Sequence, residues 1–471
     1  MDVAATGPAP DLVAAEPAAP PTAPLPGRLS WWRLLAFSSP AVPLTVLLLP
    51  IAFFLPPYYT GQLGVSLTDW ALIILVARVW DAVSDPMLGI LSDRLSSRWG
   101  RRRHLMVVST PVVVLGSLLL FMPQLFVHRV AAVYLFAAML TLHLSSTLLS
   151  LNNTAWGGEL SSDYRERNRI MGWRGVLTAV APAFALLIPA AIEWVHPGAA
   201  ASERIAALGW TGAILTPITV LLAVTAVGEP PSPPIARGDH GGPSLWASLK
   251  LLVTNPLLLR VLAAQVLYAV PLSLMGALFV FYVTFVLKRA DVSASLLLIP
   301  FGATLLSVPA WMWAARSWQK HHLIAVSYLV MGLALASLVF LGPGDLLVFG
   351  IATFITGASA GSAFLFNSIM ADVVDSDLVV TGQQRTGAFF AVQETVTKLT
   401  PTLAVTAIFP LLQLLGFDPT GRHNTPASVA AIKYCFAFAP TLPILLAAAL
   451  MWKFPLGAKQ QAELRARIDA G

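Results

Sequence analysis

The chain has 471 residues, of which 57% are hydrophobic and only 11% charged, against roughly 25% charged residues in a soluble domain; that balance excludes an ordinary soluble fold and points to a polytopic, all-α membrane protein. The net charge of +6 does not indicate nucleic-acid binding, because Lys and Arg sit in short clusters between apolar runs, which is how membrane topology is encoded. A single cysteine, Cys435, excludes an intrachain disulfide and argues against a Cys-based metal site.

Residues 1–29 begin with a Pro- and Ala-rich run that lacks the basic start and apolar core of a signal peptide, and they read as a disordered cytoplasmic tail. A hydrocarbon core about 30 Å thick needs roughly 20 apolar residues per helix. On that ruler twelve spans follow, at about 33–57, 66–90, 105–125, 131–156, 171–194, 207–228, 261–287, 292–315, 322–342, 345–371, 387–416 and 428–453. A Pro- and Gly-rich linker within 229–256 separates two six-helix halves, 30–228 and 257–453, and its end, ASLKLLVTNP, suits a short surface helix. Residues 454–471 form a C-terminal tail. Alternate sides collect twenty-one Lys and Arg against five, with Lys433 at a helix edge, so both termini are expected to be cytoplasmic and the protein to sit in the plasma (inner) membrane. Twelve helices, a central linker and this orientation suit a carrier that binds its substrate near the midplane between the halves.

The second span carries Arg78, Asp81 and Asp85 inside an apolar helix. Spacings of three and four place them on one helix face, and a charge at the bilayer centre costs roughly 2.5–3.5 kcal/mol even on lenient insertion scales, so the face is expected to be functional. Two carboxylates one turn apart can hold Na⁺ through oxygen ligands or share a proton. The plainer reading is a structural pair in which Arg78 neutralises one acid. Trp80 reads as packing, and Pro86 weakens the helical ladder beside Asp85. His143 lies alone in span four and reads as a hydrogen-bonded interior residue.

On the cytoplasmic side, residues 89–103, GILSDRLSSRWGRRR, bring Gly89, Asp93, Arg94, Gly100, Arg101 and Arg102 together. They resemble the loop between helices two and three of the major facilitator superfamily, whose Asp and Arg form an ion-pair latch between the halves; simple positive-inside charge is the alternative. Two further stretches read as loops, 152–175 after span four and 371–390 after span ten. With VWDAVSDP, they resemble the glycoside-pentoside-hexuronide:cation symporter family, best known from melibiose permeases. The matches are Trp80, Asp81, Ala82, Ser84, Asp85 and Pro86; Glu159, Leu160, Asp163, Tyr164, Glu166 and Arg167; and Ala371 to Asp375 with Thr381, Gly382 and Arg385.

The resemblance implies the major facilitator fold, with a cation site at Asp81, Ser84 and Asp85. Lys398 matches the family's lysine near that site, with Glu394 one turn earlier, or Asp81 or Asp85 across the halves, as its acid partner. Arg174, after Trp173, matches an arginine that faces the substrate in the family; the alternative is an Arg that snorkels to the interface. Arg101, Arg102, Asp163, Arg167, Asp372, Asp375 and Arg385 join Asp93 and Arg94 as candidate gating residues. Melibiose permeases also use a carboxylate in helix one and another in helix four to hold the sugar, and here Pro40, beside Ser38 and Ser39, and Ser150 stand in those places. Asn152, Asn153, Thr154, Trp156 and Gln393 are the remaining polar and aromatic candidates, with helix packing as their alternative use.

The expectation is a Na⁺- or H⁺-coupled symporter of a sugar or glycoside, working by alternating access as a monomer in the lipid bilayer, with no enzymatic activity, cofactor or transition metal. Loss of the two sugar-binding acids also suits a lysolipid or another amphipathic substrate, which the same family resemblance covers. From a different class, a receptor or structural membrane protein descended from a carrier would bury Asp81 and Asp85 away from any cavity.

Overall fold

The computed structural model describes residues 28–95, 97, 99–161, 163–229, 255–381, 386–457 and 460–461. Arg385 and residues 247–254 of the surface helix expected in ASLKLLVTNP lie outside them, and the end of that stretch, Asn255 and Pro256, starts a long helix. The described chain is helical throughout: α1 (Trp31–Ser38), α2 (Ala41–Phe53), α3 (Leu55–Gly61), α4 (Leu67–Arg94), α5 (Arg103–Phe121), α6 (Ala132–Glu159), α7 (Tyr164–Val195) and α8 (Ala201–Ala226) precede the linker. After it come α9 (Pro256–Phe285), α10 (Ser293–Ala314), α11 (Lys320–Ser337), α12 (Leu346–Ala360), α13 (Phe364–Thr381), α14 (Thr386–Leu414) and α15 (Pro426–Trp452).

Local chemistry places the boundaries. The first expected span is three helical pieces, broken where Pro40 removes a backbone donor and near Phe54, between Pro50 and Pro56. Helix α4 starts at Ser66, whose Oγ accepts from the Asp69 amide at 2.9 Å, and α9 starts at Asn255, whose Oδ1 accepts from the amides of Leu257 and Leu258. Thr425 and Ser428 form a reciprocal capping box at α15. A single 3₁₀ turn, Gly361–Ala363, separates α12 from α13, and the two together form one of the spans.

Among the described residues, eleven spans are long and apolar enough to cross a membrane. Helix α4 is just as long, but any 18-residue stretch of it carries at least three of Asp69, Arg78, Asp81, Asp85, Asp93 and Arg94. Two expected loops are corrected. Residues 152–159 continue α6 and 164–175 belong to α7, so only 160–163 turn the chain. The acidic run after span ten is likewise helical as far as Thr381, with Ile369, Met370, Val373 and Val374 continuing a buried face that also takes in Asp372 and Asp377.

The helices before the linker pack among themselves, α5 against α6 and α8, α2 against α7 and α8, and α4 against α6. Those after it do the same, α15 against α9 and α11, α10 against α12, and α14 against α9. The two groups meet chiefly where α2 faces α9, α4 faces α14 and α7 faces α10. One end of the bundle carries the basic loop 95–103, both linker ends and the last described residues; we call it the loop face and the opposite end the far face. Close helix contact depends on glycine. A Cβ at Gly357 would stand 2.1 Å from the Pro300 carbonyl oxygen, and one at Gly116 would stand 2.8 Å from the Leu142 backbone.

Candidate functional site: the acid pair of helix α4

Helix α4 has two chemically distinct faces. Val76, Val79, Trp80, Val83 and Met87 are all exposed, forming a broad apolar face suited to lipid. Asp81, Ser84 and Ser92 are buried on the opposite face, which packs against α6. Trp80 therefore stands away from the acids, as packing at the lipid boundary.

Each acid has one oxygen engaged by a base. Arg78 Nη1 donates to Asp81 Oδ2 at 3.1 Å, one helical turn away. His143 Nδ1, from α6, stands 3.6 Å from the same oxygen, with both side chains almost fully buried. Lys398 Nζ, from α14, stands 3.5 Å from Asp85 Oδ2. The second oxygens, Asp81 Oδ1 and Asp85 Oδ1, are buried with no hydrogen-bond partner among the described residues. An unpartnered carboxylate oxygen in a low-dielectric interior is costly, and two on adjacent turns form a donor set suited to a hard cation or a proton. Ser84 adds a buried hydroxyl on the same helix, its Oγ donating weakly to the Asp81 carbonyl at 3.5 Å. On α6, the buried Ser146 Oγ, one turn beyond His143, is also unpartnered among the described residues.

Lys398 thus finds its acid across the group boundary, at Asp85 rather than Asp81; the Glu394 side chain lies outside the described residues. The salt bridge links α4 to α14 while the lysine side chain remains two-thirds exposed. His143, read from sequence as a satisfied interior residue, belongs to the site. Sequence could have found it only by matching depth in α4 and α6, which run in the same direction and pair Ser92 with Asn152 as well as Asp81 with His143.

The remaining sequence candidates separate into three sets. Asn152 is fully buried between α4 and α6, accepting from Ser92 Oγ at 2.5 Å and donating to the Leu148 carbonyl. Asn153 donates to the Phe37 carbonyl at 3.1 Å and accepts from Arg174 Nε at 3.2 Å. Trp156 is fully buried and edge-on to Phe37, with its Nε1 unpartnered among the described residues. All three make these contacts within the group of helices before the linker. Thr154 is exposed, Trp173 and Arg174 are half-buried, and Gln393 bonds Asn367 Oδ1 at 3.0 Å while its own Oε1 is unpartnered among the described residues.

The gating candidates form networks inside each group. Glu159 Oε1 accepts from Arg101 Nη2 at 2.5 Å and from Arg102 Nη2 at 2.9 Å, and Arg102 Nη1 reaches Ser92 Oγ at 2.7 Å. Glu229 accepts from the amides of Arg101, Arg102 and Arg103, closing the start of α5. At Gly100 φ is +112°, a conformation that favours glycine, and a Cβ there would also push aside the tip of Glu229, whose Oε2 would lie 2.1 Å away. Asp372 accepts from Lys320 Nζ at 2.8 Å and from Gln461. Asp163 and Arg167 are exposed at the α6–α7 turn, and Asp375 is half-buried on α13. The side chains of Asp93 and Arg94 lie outside the described residues.

Residues 36–458 match the profile of the MFS/sugar transport protein family. The chain belongs to this family. Family membership places it among membrane transporters of the glycoside-pentoside-hexuronide:cation symporter kind. It is 23% identical over 451 residues to the glucuronide carrier protein homolog of Escherichia coli (strain K12), covering 94% of this chain and 96% of that one. It is equally 23% identical to the sodium-dependent lysophosphatidylcholine symporter 1 of Gallus gallus, over 93% of this chain and 88% of that one. Among solved structures, the nucleoside transporter NupG superposes with a TM-score of 0.63 over 89% of this chain and 99% of its own at 13% identity, which identifies the fold as that of the major facilitator transporters.

Proposed function

We propose that this MFS/sugar transport family member is a cation-coupled symporter that moves a sugar or glycoside across the plasma (inner) membrane by alternating access, with both termini cytoplasmic, two six-helix halves and a monomeric working unit. The observation that carries the reading is the α4 acid pair. Its two carboxylates each keep one unpartnered buried oxygen, and Asp85 is tied through Lys398 to the helix group that must move against α4. Asp81 and Asp85, assisted by Ser84, hold Na⁺ or a proton; bound charge neutralises the pair and weakens the hold of Asp85 on Lys398. Ion binding thereby changes the energy of the contact between halves, which is the differential interaction that coupling requires. Arg174, Trp173, Thr154 and Gln393 are the residues left to meet substrate hydroxyls.

One observation favours a second reading. Asn152, Asn153 and Trp156 are committed to packing, so the polar set left for a sugar is thin, as a lysolipid carrier would allow. Vesicles containing the full chain, given imposed Na⁺ or H⁺ gradients and a panel of labelled glycosides and lysolipids, distinguish the readings. Gradient-driven accumulation of a glycoside is the expected result, accumulation of lysolipid alone selects the second reading, and accumulation of neither under any gradient overturns both.

A further inference from the structure

The far face holds a buried acid that none of the transport residues above requires. Glu193, near the end of α7, is about nine-tenths buried, and its contacts extend across the group boundary. Its Oε1 accepts from the Ala294 amide at 2.9 Å, and its Oε2 accepts from the Ser295 amide at 2.9 Å and from Ser295 Oγ at 2.8 Å. These donors are the first turn of α10, where the helix leaves amides unsatisfied and its dipole favours an anion. Arg204, from the first turn of α8, donates to Glu193 Oε1 and reaches across the same boundary to the Ala290 carbonyl and Ser293 Oγ, both at 3.3 Å.

We infer that the Glu193 carboxylate, seated on the start of α10, is the lock that keeps the two helix groups together at the far face. The inference rests on the alternating-access reading, since only groups that part need a lock. Its partners divide by group: Arg204 lies on the same side of the boundary as Glu193 and stays with it in either state, whereas the Ala294 and Ser295 donors lie on the other side. Opening the far face exchanges those donors for water while the carboxylate keeps its arginine, so no charge is stranded in either state. A buried carboxylate without Arg204 would resist closing, and an apolar contact alone would lack the directional donors that fix the register of α7 on α10. Neighbouring contacts close the same face. Thr68 at the start of α4 donates to Gln413 Oε1 near the end of α14 at 2.9 Å, Phe53 of α2 meets Phe301 of α10 edge-on at 5.7 Å, and Gly61 approaches the Pro419 carbonyl so closely that a Cβ would lie 3.0 Å from it. Of these contacts, that of Glu193 alone combines full charge with helix-end amides, so its removal is expected to change the balance between closed and open most.

The test uses the full chain in lipid nanodiscs, with Cys435→Ser and spin labels introduced at Glu203 and Lys288, both exposed and on opposite sides of the boundary. A second label pair at Ser97 and Arg316, both exposed, reports on the loop face. Pulsed electron–electron resonance then reads the distance distributions. Glu193→Ala is expected to raise the long-distance population of the far-face pair by a factor of about ten, with shorter distances at the loop face. Glu193→Gln and Ser295→Ala, which remove the charge or one donor and preserve packing, shift the same population less. Far-face distributions unchanged in all three variants overturn the assignment. Separation without movement at the loop face would make Glu193 a local packing residue and overturns it as well. The distances are read without substrate or ion gradient, so failure here leaves the coupling reading intact, and failure of coupled uptake leaves these distances unaffected.

Discussion

Replacing Asp85 with Asn removes a charge and keeps the shape of the side chain. Its effect on stability is small, because the Lys398 side chain that loses its partner is two-thirds exposed and can take up water, placing the pair in the range of about 1 kcal/mol or less. Its effect on ion binding is large. A unit charge interacting with a cation at about 4 Å in an effective dielectric near 20 contributes about 4 kcal/mol, roughly a thousandfold in affinity. Even after a tenfold reduction for the cost of drying the site, the variant should bind the coupling cation about a hundredfold more weakly. The assay is accumulation of labelled substrate in vesicles under an imposed Na⁺ or H⁺ gradient, paired with size-exclusion and thermal unfolding of the purified protein. The expected outcome is a folded protein of near-normal stability that equilibrates substrate but does not concentrate it. Unchanged gradient-driven accumulation would refute the reasoning, because a carboxylate that contributes nothing to ion binding cannot be the coupling site.

His143→Ala is expected to leave folding largely intact and to change the cation concentration that half-saturates uptake, because it removes the only base that α6 presents to Asp81; identical cation dependence would return His143 to a packing role. Gly357→Ala forces α10 and α12 apart at the Pro300 carbonyl and should cost about 2–3 kcal/mol, read as a fall of several degrees in unfolding temperature. Glu159→Gln weakens the Arg101 and Arg102 anchorage to α6, and limited proteolysis at residues 95–103 should accelerate while cation binding is unchanged. In the far-face loop, slight burial works against ionisation of Asp418, but donors from Thr420 and the His423 amide outweigh it and hold the carboxyl below the usual carboxylate range. A depressed folded-state value means the stabilisation is present above the unfolded value of about 4 and is lost as pH falls through the folded one. Amide exchange across residues 417–424 should therefore accelerate below about pH 4.

What the sequence disclosed and what it withheld both follow from geometry. Neighbours on one helix are set by its 3.6-residue period, so the Arg78–Asp81 pair and the shared face of Asp81 and Asp85 were readable directly. The apolar runs were readable for the same reason, although α4 is less apolar than the other spans because it carries the charges of the candidate site. Neighbours on different helices depend on depth and rotation, which no local spacing encodes. Lys398 had three acids within the reach of argument and meets Asp85, and His143 looked solitary because its partner lies sixty-two residues away in sequence. Rotation likewise sets the contacts of Asn152 and Trp156, which meet Ser92 of α4 and Phe37 of α1 in this structure. The loop-face acids differ for another reason: a polar run reads as a loop, yet Asp372, Asp375 and Asp377 continue α13, because the buried Asp372 and Asp377 find partners on other segments, Asp372 in Lys320 and Gln461 and Asp377 in Asn255. Glu193 shows the limit most clearly. As a lone acid near the end of an apolar helix it reads as an ordinary boundary charge, and only the approach of another helix's first turn, about a hundred residues further on, gives it donors and a role in holding the two groups together.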